Sequence, residues 1–395
     1  MSSPRTILIR VTGLDRPGIT TDLLSLLAHL GARVFDMEQV VVRRQLTLGL
    51  AVEVPEGRDM VKEVLLFGWE RSLDIDFEVV DSAPSRHRNR HVVTVLGHEL
   101  SPADLAETTG AISTSGGNID RIARLSMYPV WSYEFLVDDA DPDKLRASLL
   151  TVASERQVDI AVQAHGLHRR STRLVVLDVD STLIRNEVID LLADEAGCGA
   201  QVAELTEQAM AGTMDFAEAL HARVSLLAGT PESAIQAAIG RMTLTPGART
   251  FVRTLRRLGY RVAIISGGFT HFTDHLVSVF GFDHAYANEL EVADGHLTGR
   301  VVGDIVDAAA KEQLLRRIAE REGIPLDQTV AVGDGANDLP MLQTAGMGIA
   351  FNAKPVVRGA AQTSINVPYL DAILFMLGVT REEVEAADAT QPAEG

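Results

Sequence analysis

Two aspartates follow an apolar run of strand length near the middle of the chain. Residues 174–177 read Leu-Val-Val-Leu, and Asp178 and Asp180 come directly after them. In an open parallel sheet, chemistry gathers at the carboxyl ends of the strands. We expect their side chains to point in different directions unless the turn bends the chain, and the two carboxylates therefore to have different roles. Alone, such a pair is also typical of a helix cap.

Three further segments supply groups that suit a phosphate. One apolar run ends in Ser266 and a glycine pair beginning at Gly267, where backbone N–H groups can approach an anion. Lys311 opens an amphipathic segment and offers a mobile positive charge, although a lysine early in a helix is more often solvated. Asp334 and Asp338 follow another apolar run in a Gly-Asp-Gly turn. Together, in this order, the four segments indicate phosphoryl chemistry.

These segments resemble the four motifs of the haloacid dehalogenase superfamily of phosphotransferases. The correspondence consists of Asp178-x-Asp180-x-Thr182, Ser266, Lys311 and Gly333-Asp334-Gly335-x-x-Asp338. Within that superfamily, the stretch from about residue 174 to 355 is similar to the phosphoserine phosphatase family. The similarity extends to Glu187, Met214-Asp215-Phe216, Arg223-Val224-Ser225-Leu226-Leu227 and Ser266-Gly267-Gly268-Phe269.

The resemblance implies a role for each carboxylate. Asp178 is expected to be the nucleophile that forms an aspartyl phosphate, and Asp180 the general acid and then the general base. Mg²⁺ is the expected cofactor, held by Asp178, Asp334 and the backbone carbonyl of Asp180. Asp338 is expected to hold Lys311 or a metal-bound water rather than the metal itself.

Other candidates are expected to bind the substrate. Ser266, the N–H of Gly267 and the Lys311 ammonium would hold the phosphoryl oxygens, and Asn337 would add its amide. Arg223 can grip an α-carboxylate with its planar fork, and Glu187 can pair with an α-ammonium group.

Both amino-acid contacts lie in or beside a segment, about residues 187–245, whose helical periodicity predicts a cap inserted over the site. Closure of such a cap would exclude water. The apolar wall of the pocket is predicted from Met210, Met214 and Phe216, for which plain core packing is an equal alternative.

The first 165 or so residues repeat a smaller pattern. Strand, helix and strand follow one another at residues 6–12, 19–30 and 34–42, and again at 91–96, 101–113 and 119–126. Both copies resemble ACT domains, small ferredoxin-like modules that bind amino acids in many metabolic enzymes.

The two copies differ at the loop that carries the ACT resemblance. The first copy reads Asp15-Arg16-Pro17-Gly18-Ile19, so Asp15 and Gly18 are the predicted contacts to a regulatory ligand. The second reads His98-Glu99-Leu100-Ser101-Pro102-Ala103 instead, which leaves its ligand site open. The resemblance implies feedback by L-serine, with dimerisation as the alternative role of both copies. Exposed sheet edges favour a homodimer.

The predicted fold class is therefore α/β: a Rossmann-like haloacid dehalogenase core with an inserted helical cap, preceded by two ferredoxin-like (α+β) ACT domains. The predicted boundaries are 1–82 and 90–165 for the two modules and 172–380 for the phosphatase domain. The acidic tail at 381–395, which contains Pro392, is predicted to be disordered.

Composition excludes several classes of function. The chain has 395 residues, of which 46% are hydrophobic and 23% charged, which suits a folded protein of two to three domains. A net charge of −18 argues against a nucleic-acid surface. The apolar runs are too short to span a membrane, and the single cysteine allows no intrachain disulfide. We expect a cytoplasmic protein without nucleic-acid or membrane partners.

The leading interpretation is a Mg²⁺-dependent phosphatase that hydrolyses O-phospho-L-serine to L-serine and phosphate, the last step of L-serine biosynthesis. Another phosphomonoester phosphatase, with a cap that selects a different substrate, is the alternative within the enzyme class. An amino-acid sensor with a vestigial catalytic domain is the alternative from a different class.

Overall fold

The first module is a four-stranded antiparallel sheet with two helices. The computed structural model describes residues 6–53, 59–80, 90–166, 173–210 and 214–390. The elements of the first module are β1 (Thr6–Leu14), α1 (Ile19–His29), β2 (Arg33–Val42), β3 (Gln45–Glu53), α2 (Met60–Arg71) and β4 (Asp74–Val80). The strand order is β2-β3-β1-β4, which is the predicted ferredoxin-like arrangement.

Alternation along β3 explains how this module forms its core. Leu46, Leu48, Leu50 and Val52 are all buried, while the residues between them are exposed or half-buried. A strand with this period of two presents one apolar face, and the amphipathic helix α1 covers it with Leu23. At the other side of the sheet, all ten residues of the edge strand β2 are exposed.

The second module repeats this topology, but its strand β5 is buried on both faces. Its elements are β5 (His91–Gly97), α3 (Pro102–Thr114), β6 (Asn118–Ser126), β7 (Trp131–Asp138), α4 (Pro142–Arg156) and β8 (Asp159–Ala164), in the strand order β6-β7-β5-β8. Val93 and Val95 of β5 belong to the core of the module, whereas Leu96 belongs to the core of the phosphatase domain. The chain accordingly divides into two units, residues 1–86 and 87–395, and the second module belongs to the larger unit.

The phosphatase domain is built on a seven-stranded sheet of order β12-β11-β10-β9-β13-β14-β15. Its strands are β9 (Leu174–Leu177), β10 (Arg261–Phe269), β11 (His284–Ala293), β12 (His296–Val302), β13 (Thr329–Gly333), β14 (Met347–Phe351) and β15 (Thr363–Ile365). All neighbouring strands pair in parallel except β11 and β12, which form an antiparallel hairpin with its turn at Asp294 and Gly295.

The central strand β9 is apolar throughout because helices cover both faces of the sheet. Val175 and Leu177 pack into one apolar core, and Leu174 and Val176 into the other. The helices after the cap are α9 (Ala248–Arg257), α10 (Thr270–Phe280), α11 (Ala308–Glu322), α12 (Leu339–Thr344), α13 (Pro355–Ala360), α14 (Ile373–Met376) and α15 (Arg381–Thr390).

The predicted helical cap follows β9. It contains α5 (Val188–Glu195), α6 (Gly199–Met210), α7 (Phe216–Ser225) and α8 (Ser233–Gly240). The hairpin strand β12 supports it, because the N–H of Gly229 donates to the carbonyl of Leu297 (2.8 Å) and the N–H of Leu297 to that of Thr230 (2.9 Å). The fold class predicted from the sequence is thus confirmed.

The prediction of a disordered tail is wrong for residues 381–390, which form α15. Val384 of this helix is 3% exposed, and the Asp388 carboxylate pairs with Arg253 and Arg257 of α9. The acidic composition suggested disorder, but one buried apolar contact and a pair of cations on the domain surface hold the helix. Residues 391–395, including Pro392, lie outside the described residues.

Across the described ranges, the structure contains no helix that is both long enough and apolar enough to cross a bilayer.

Candidate active site

The predicted catalytic residues meet at the carboxyl ends of β9 and β13, the two central strands of the sheet. The N–H of Asp178 donates to the carbonyl of Val332 (2.9 Å), which ties the end of β9 to its neighbour. A tight turn over residues 179–183 then reverses the chain, and Ser181 adopts a left-handed conformation (φ 57°) within it. Because of this turn, Asp178 and Asp180 point to different partners.

Lys311 bridges two carboxylates at the base of the site. Its ammonium group donates to Asp178 Oδ1 (2.6 Å) and to Asp338 Oδ1 (2.7 Å), and the residue is fully buried. Burial alone lowers the pKa of Lys311, but the two carboxylates outweigh it and hold the pKa above its usual range. The alternative of a solvated surface lysine is therefore wrong.

Three carboxylates form a cluster that suits a metal ion. One oxygen each from Asp178, Asp334 and Asp338 lie within 4.8 Å of one another. Burial and the charge of Asp338 raise the pKa of Asp178 well above its usual range, and the same two causes raise the pKa of Asp334 to about 7. An all-oxygen set whose negative charges repel one another fits a hard divalent cation, which would relieve that repulsion.

The carboxylate of Asp180 lies apart from this cluster. Its Oδ1 accepts a hydrogen bond from the N–H of Val188 (2.7 Å), and its Oδ2 accepts one from the Ser266 hydroxyl (2.9 Å). Burial, together with the charge of Glu187, raises the pKa of Asp180 to about 6. Asp180 also ties the start of the cap helix α5 to the Ser266 strand β10, which a simple capping role would not require.

The glycine pair after Ser266 is shaped by close neighbours. The N–H of Gly268 donates to the Ser266 hydroxyl (2.8 Å), and a Cβ atom at Gly267 would lie 3.2 Å from the ring of Phe216 in the cap. The Phe216 ring therefore lies against the loop, and it also packs against the apolar core of the domain, so both predicted roles stay open. The side chain of Met210, also predicted there, lies outside the described part of the structure.

Asn288 supports this loop and was not predicted from the sequence. Its Nδ2 donates to the carbonyl of Gly267 (2.7 Å), its Oδ1 accepts from the N–H of Val306 (2.8 Å), and it is 1% exposed. An asparagine in the middle of an alternating strand carries no local signal of such a role. Only the pairing of β11 beside β10 brings it to the loop.

The two residues predicted to select an amino acid lie at the mouth of the site. Glu187 is exposed and accepts from the Ser181 hydroxyl (2.7 Å), while the half-buried Arg223 donates through Nε to the carbonyl of Ala219 (3.2 Å). Burial lowers the pKa of Arg223, and the negative charges of Glu187, Asp190 and Asp180 act against that shift. Asp190 is a further acidic neighbour that the sequence did not single out.

The Gly-Asp-Gly turn after β13 places Asp334, Asn337 and Asp338. Thr182 donates its hydroxyl to Asp334 Oδ1 (3.1 Å), which explains the threonine in the first motif. The N–H of Gly335 donates to Asp338 Oδ2 (2.9 Å), so Asp338 is held from both oxygens. Asn337 is half-buried in the same turn.

The structure thus brings ten of the predicted residues to one edge of the sheet and leaves two elsewhere. The ten are Asp178, Asp180, Glu187, Arg223, Ser266, Gly267, Lys311, Asp334, Asn337 and Asp338. Asp15 and Gly18 lie in the first module, in the loop before α1, where Gly18 is left-handed (φ 97°) and the N–H of Asp15 donates to the carbonyl of Arg44 (2.8 Å).

Comparison with known proteins gives matches to the separate domains and to nearly the full length of the chain. A family model for haloacid dehalogenase-like hydrolases matches residues 175–343, and two ACT-domain models match residues 5–80 and 89–163. The chain is 53% identical over 388 residues to a phosphoserine phosphatase of Streptomyces coelicolor, in a match that covers 97% of this chain and 94% of that protein.

Two further similarities agree with these matches. The phosphoserine phosphatase SerB2 of Mycobacterium tuberculosis is 46% identical over 396 residues, covering 98% of this chain and 97% of that protein. A solved structure described as a phospho-aspartyl intermediate analogue of phosphoserine phosphatase is 44% identical, with a TM-score of 0.50, and covers 52% of this chain and 99% of that one. This chain belongs to the phosphoserine phosphatase family of haloacid dehalogenase-like hydrolases.

Proposed function

We propose that this protein hydrolyses O-phospho-L-serine to L-serine and phosphate, with Asp178 as the nucleophile. The observation that carries the proposal is the buried Lys311 ammonium between Asp178 and Asp338, next to the Asp334 carboxylate. Such a site combines a fixed carboxylate with groups that neutralise charge on a phosphoryl group, which is what phosphoryl transfer requires.

In the first step, an Asp178 oxygen attacks phosphorus in line with the serine oxygen. A bond forms between the Asp178 oxygen and phosphorus, which gives an acyl phosphate. The bond between phosphorus and the serine Oγ breaks. Lys311, the Ser266 hydroxyl and the N–H of Gly267 bind the phosphoryl oxygens, and the Asn337 amide adds a further donor. Asp180 gives its proton to the departing serine alkoxide.

In the second step, water releases the phosphate. Asp180, now ionised, takes a proton from the water, whose oxygen attacks phosphorus and displaces the Asp178 carboxylate. Its position supports both roles, because Asp180 Oδ2 lies 2.9 Å from Ser266 Oγ and therefore beside the proposed phosphoryl site. The cycle leaves Asp178 ionised and Asp180 protonated again.

Asp178 and Asp334, with the backbone carbonyl of Asp180, would hold Mg²⁺, and Asp338 would orient Lys311. When bound, Mg²⁺ supplies positive charge to the phosphoryl oxygens and keeps waters in its remaining positions. The carboxylate cluster supports a hard divalent cation of this kind.

The cap supports selection of an amino-acid phosphoester. Arg223 would bind the α-carboxylate through its guanidinium fork, and Glu187 would bind the α-ammonium group. Arg223 is half-buried near the negative charges of Glu187, Asp190 and Asp180. Partial burial supports this role, because an ion pair between arginine and a carboxylate is stronger where less water surrounds it.

The nucleophile is tested by phosphate release from O-phospho-L-serine with Mg²⁺ and with chelator. Asp178→Asn should lower the rate by roughly a thousandfold or more, because no other group can form the covalent intermediate. Asp294→Asn, at the exposed turn of the β11–β12 hairpin, removes the same charge far from the motifs and should leave the rate unchanged. Equal activity of wild type and Asp178→Asn would overturn the assignment.

Substrate selection is tested by comparing two phosphomonoesters. Arg223→Ala should raise KM for O-phospho-L-serine by about tenfold or more and leave p-nitrophenyl phosphate, which has no carboxylate, almost unaffected. Arg241→Ala serves as the control, because this arginine of the cap segment pairs with Asp194 and Glu195 at the end of α5, away from the motifs. Equal losses on both substrates would favour a different phosphomonoester.

We further propose that the first module binds L-serine as a feedback regulator through the loop of Asp15 and Gly18. Gly18→Ala should weaken inhibition by L-serine, because a side chain strains a φ of 97° at the start of α1. Gly31→Ala imposes similar strain (φ 74°) in the same module away from the loop. Equal inhibition in both variants and wild type would contradict the proposal.

We also propose that the protein forms a homodimer through the first module. Edge strand β2 offers unpaired backbone groups and exposed apolar side chains, among them Phe35 (50% exposed) and Val42 (62%). Val41→Lys should shift sedimentation toward the monomer, whereas Leu65→Lys, at an exposed position of α2, should not. A wild-type protein that sediments as a monomer would contradict homodimerisation.

A further inference from the structure

A cavity of about 530 Å³ lies between the second module and the phosphatase core. Helix α4 and strand β8 of the module form one wall. The other wall consists of residues that directly precede or begin strands of the central sheet: Arg173 before β9, Asp327 before β13, Gly346 and Met347 at β14, and Ala361, Gln362 and Thr363 at β15.

We propose that this cavity binds a small organic carboxylate with an apolar body. Two arginines line it from opposite walls: Arg146 from α4 and the buried Arg173 from the start of β9. His165 lies at the same cavity, and among the described lining residues Asp327 is the one acidic side chain. Arginines therefore outnumber acidic residues in the described lining, whereas the chain as a whole carries a net charge of −18.

The remaining lining residues favour a ligand whose uncharged part is apolar. Leu149, Leu150 and Val162 from the module face Met347 and Ala361 from the core, so an apolar group finds contacts on both sides. A pocket that combines an apolar lining with a few charged groups suits a ligand that is itself apolar with one charged end. The volume exceeds what L-serine would fill, which separates this site from the regulatory loop of the first module.

Hydrogen bonds fix the two walls relative to each other. Gln163 Nε2 donates to the carbonyl of Met376 (2.6 Å), and the N–H of Asn366 donates to Asp159 Oδ2 (2.8 Å). Both bonds join β8 of the module to the phosphatase domain. The cavity is therefore preformed, and a ligand would not have to order its walls.

The cavity lies at the opposite end of the sheet from the catalytic carboxylates. Arg173 precedes β9 and Asp178 follows it, and a strand rises about 3.3 Å per residue, so roughly 16 Å separate the two. A ligand in the cavity would not displace the substrate. It would instead contact residues that precede the strands carrying Asp178 and Asp334.

The experiment is calorimetric titration of the full-length protein with 3-phenylpropanoate, with neutral 3-phenylpropanamide as the matched ligand. The carboxylate should bind at least about tenfold more tightly than the amide, because charge-assisted hydrogen bonds to arginine are strong. Arg146→Ala should weaken carboxylate binding by about tenfold and leave amide binding unchanged. Lys144→Ala, two residues earlier on α4 and outside the cavity lining, should change neither.

A second variant fills the cavity itself. Leu150→Trp places a bulky ring at the cavity from an exposed position (55% exposed) and should abolish binding without lowering the melting temperature. Saturation with inorganic phosphate and Mg²⁺, whose proposed site is the carboxylate cluster at the other end of the sheet, should leave the affinity unchanged. Equal binding of carboxylate and amide, or unchanged binding in both Arg146→Ala and Leu150→Trp, would overturn the proposal.

Discussion

The two ferredoxin-like modules carry the same aspartate at the start of their fourth strand, in different surroundings. Asp74 opens β4 and lies opposite Thr12 of β1, and Asp159 opens β8 and lies opposite Leu96 of β5. Asp74 is exposed, whereas Asp159 is 3% exposed and accepts from the N–H (2.8 Å) and the Nδ2 (2.7 Å) of Asn366. One repeat position therefore serves as surface in the first copy and as an interdomain contact in the second.

This difference extends to the rest of each module. The first module keeps the Asp15-to-Gly18 loop and an edge strand, β2, that is exposed along its whole length. The second has lost that loop sequence, and its strand β5 is buried throughout between its own core and the phosphatase core. The same topology is available for ligand or partner binding in one copy and is part of the catalytic unit in the other.

The largest expected effect comes from the choice of truncation point. A chain that begins at residue 87 should keep the melting temperature and phosphate release of the catalytic unit, because it retains the whole second unit. A chain that begins at residue 173 exposes the apolar partners of Leu96 in the phosphatase core and the carbonyl of Met376, and should lose several kcal/mol of unfolding free energy. Thermal unfolding of both chains beside the full-length protein measures this.

Equal melting temperatures for the two truncated chains would mean that the second module contributes no stability to the catalytic domain. That result would contradict its inclusion in the catalytic unit. The same pair of chains also separates regulation from stability. If L-serine acts through the first module, the chain that begins at residue 87 should be active and insensitive to L-serine.

One pair of substitutions separates the roles of the aspartate in the two modules. Asp159→Ala leaves two donors of Asn366 without their acceptor and should cost about 3 kcal/mol of unfolding free energy at about pH 5, where the buried carboxyl is protonated in the folded state. Asp74→Ala removes the same side chain from an exposed position and should change it by no more than about 0.5 kcal/mol. Urea unfolding of the two variants and wild type tests this, and equal costs would mean that the repeat position has the same role in both modules.

The grouping of the candidate active-site residues was predictable because its signals are local. Asp178, Ser266 and Asp334 each follow an apolar run of strand length, and parallel strands bring their carboxyl ends to one edge of a sheet. Lys311 could be placed only through its order among the motifs, since a buried lysine and a solvated one look alike in an amphipathic helix. Its burial depends on Asp178 and Asp338, which come from other elements.

What escaped prediction depends on contacts distant in sequence. Asn288 reaches the Gly267 carbonyl only because β11 pairs beside β10, and Asp159 meets Asn366 across more than two hundred residues of chain. The helical tail escaped for the same reason, since Asp388 finds its arginine partners on α9. Composition and periodicity describe one element at a time and hold no information on which surfaces meet.

The smallest expected effect is a pH dependence specific to the second module. Burial raises the pKa of Asp159 to about 6, against an ordinary value of 3.8. The folded state therefore binds a proton more tightly than the unfolded state, and this residue's contribution to stability falls as pH rises from about 4 to about 6 and is constant above. One pKa unit corresponds to about 1.4 kcal/mol, and hydration at the interface reduces the total, so we expect a loss of about 2 kcal/mol.

Asp159→Asn should remove that part of the pH dependence of urea unfolding, whereas Asp74→Asn should retain it. Parallel pH profiles for the two variants would show that Asp159 is hydrated like Asp74, and the contrast between the modules would then rest on apolar packing alone.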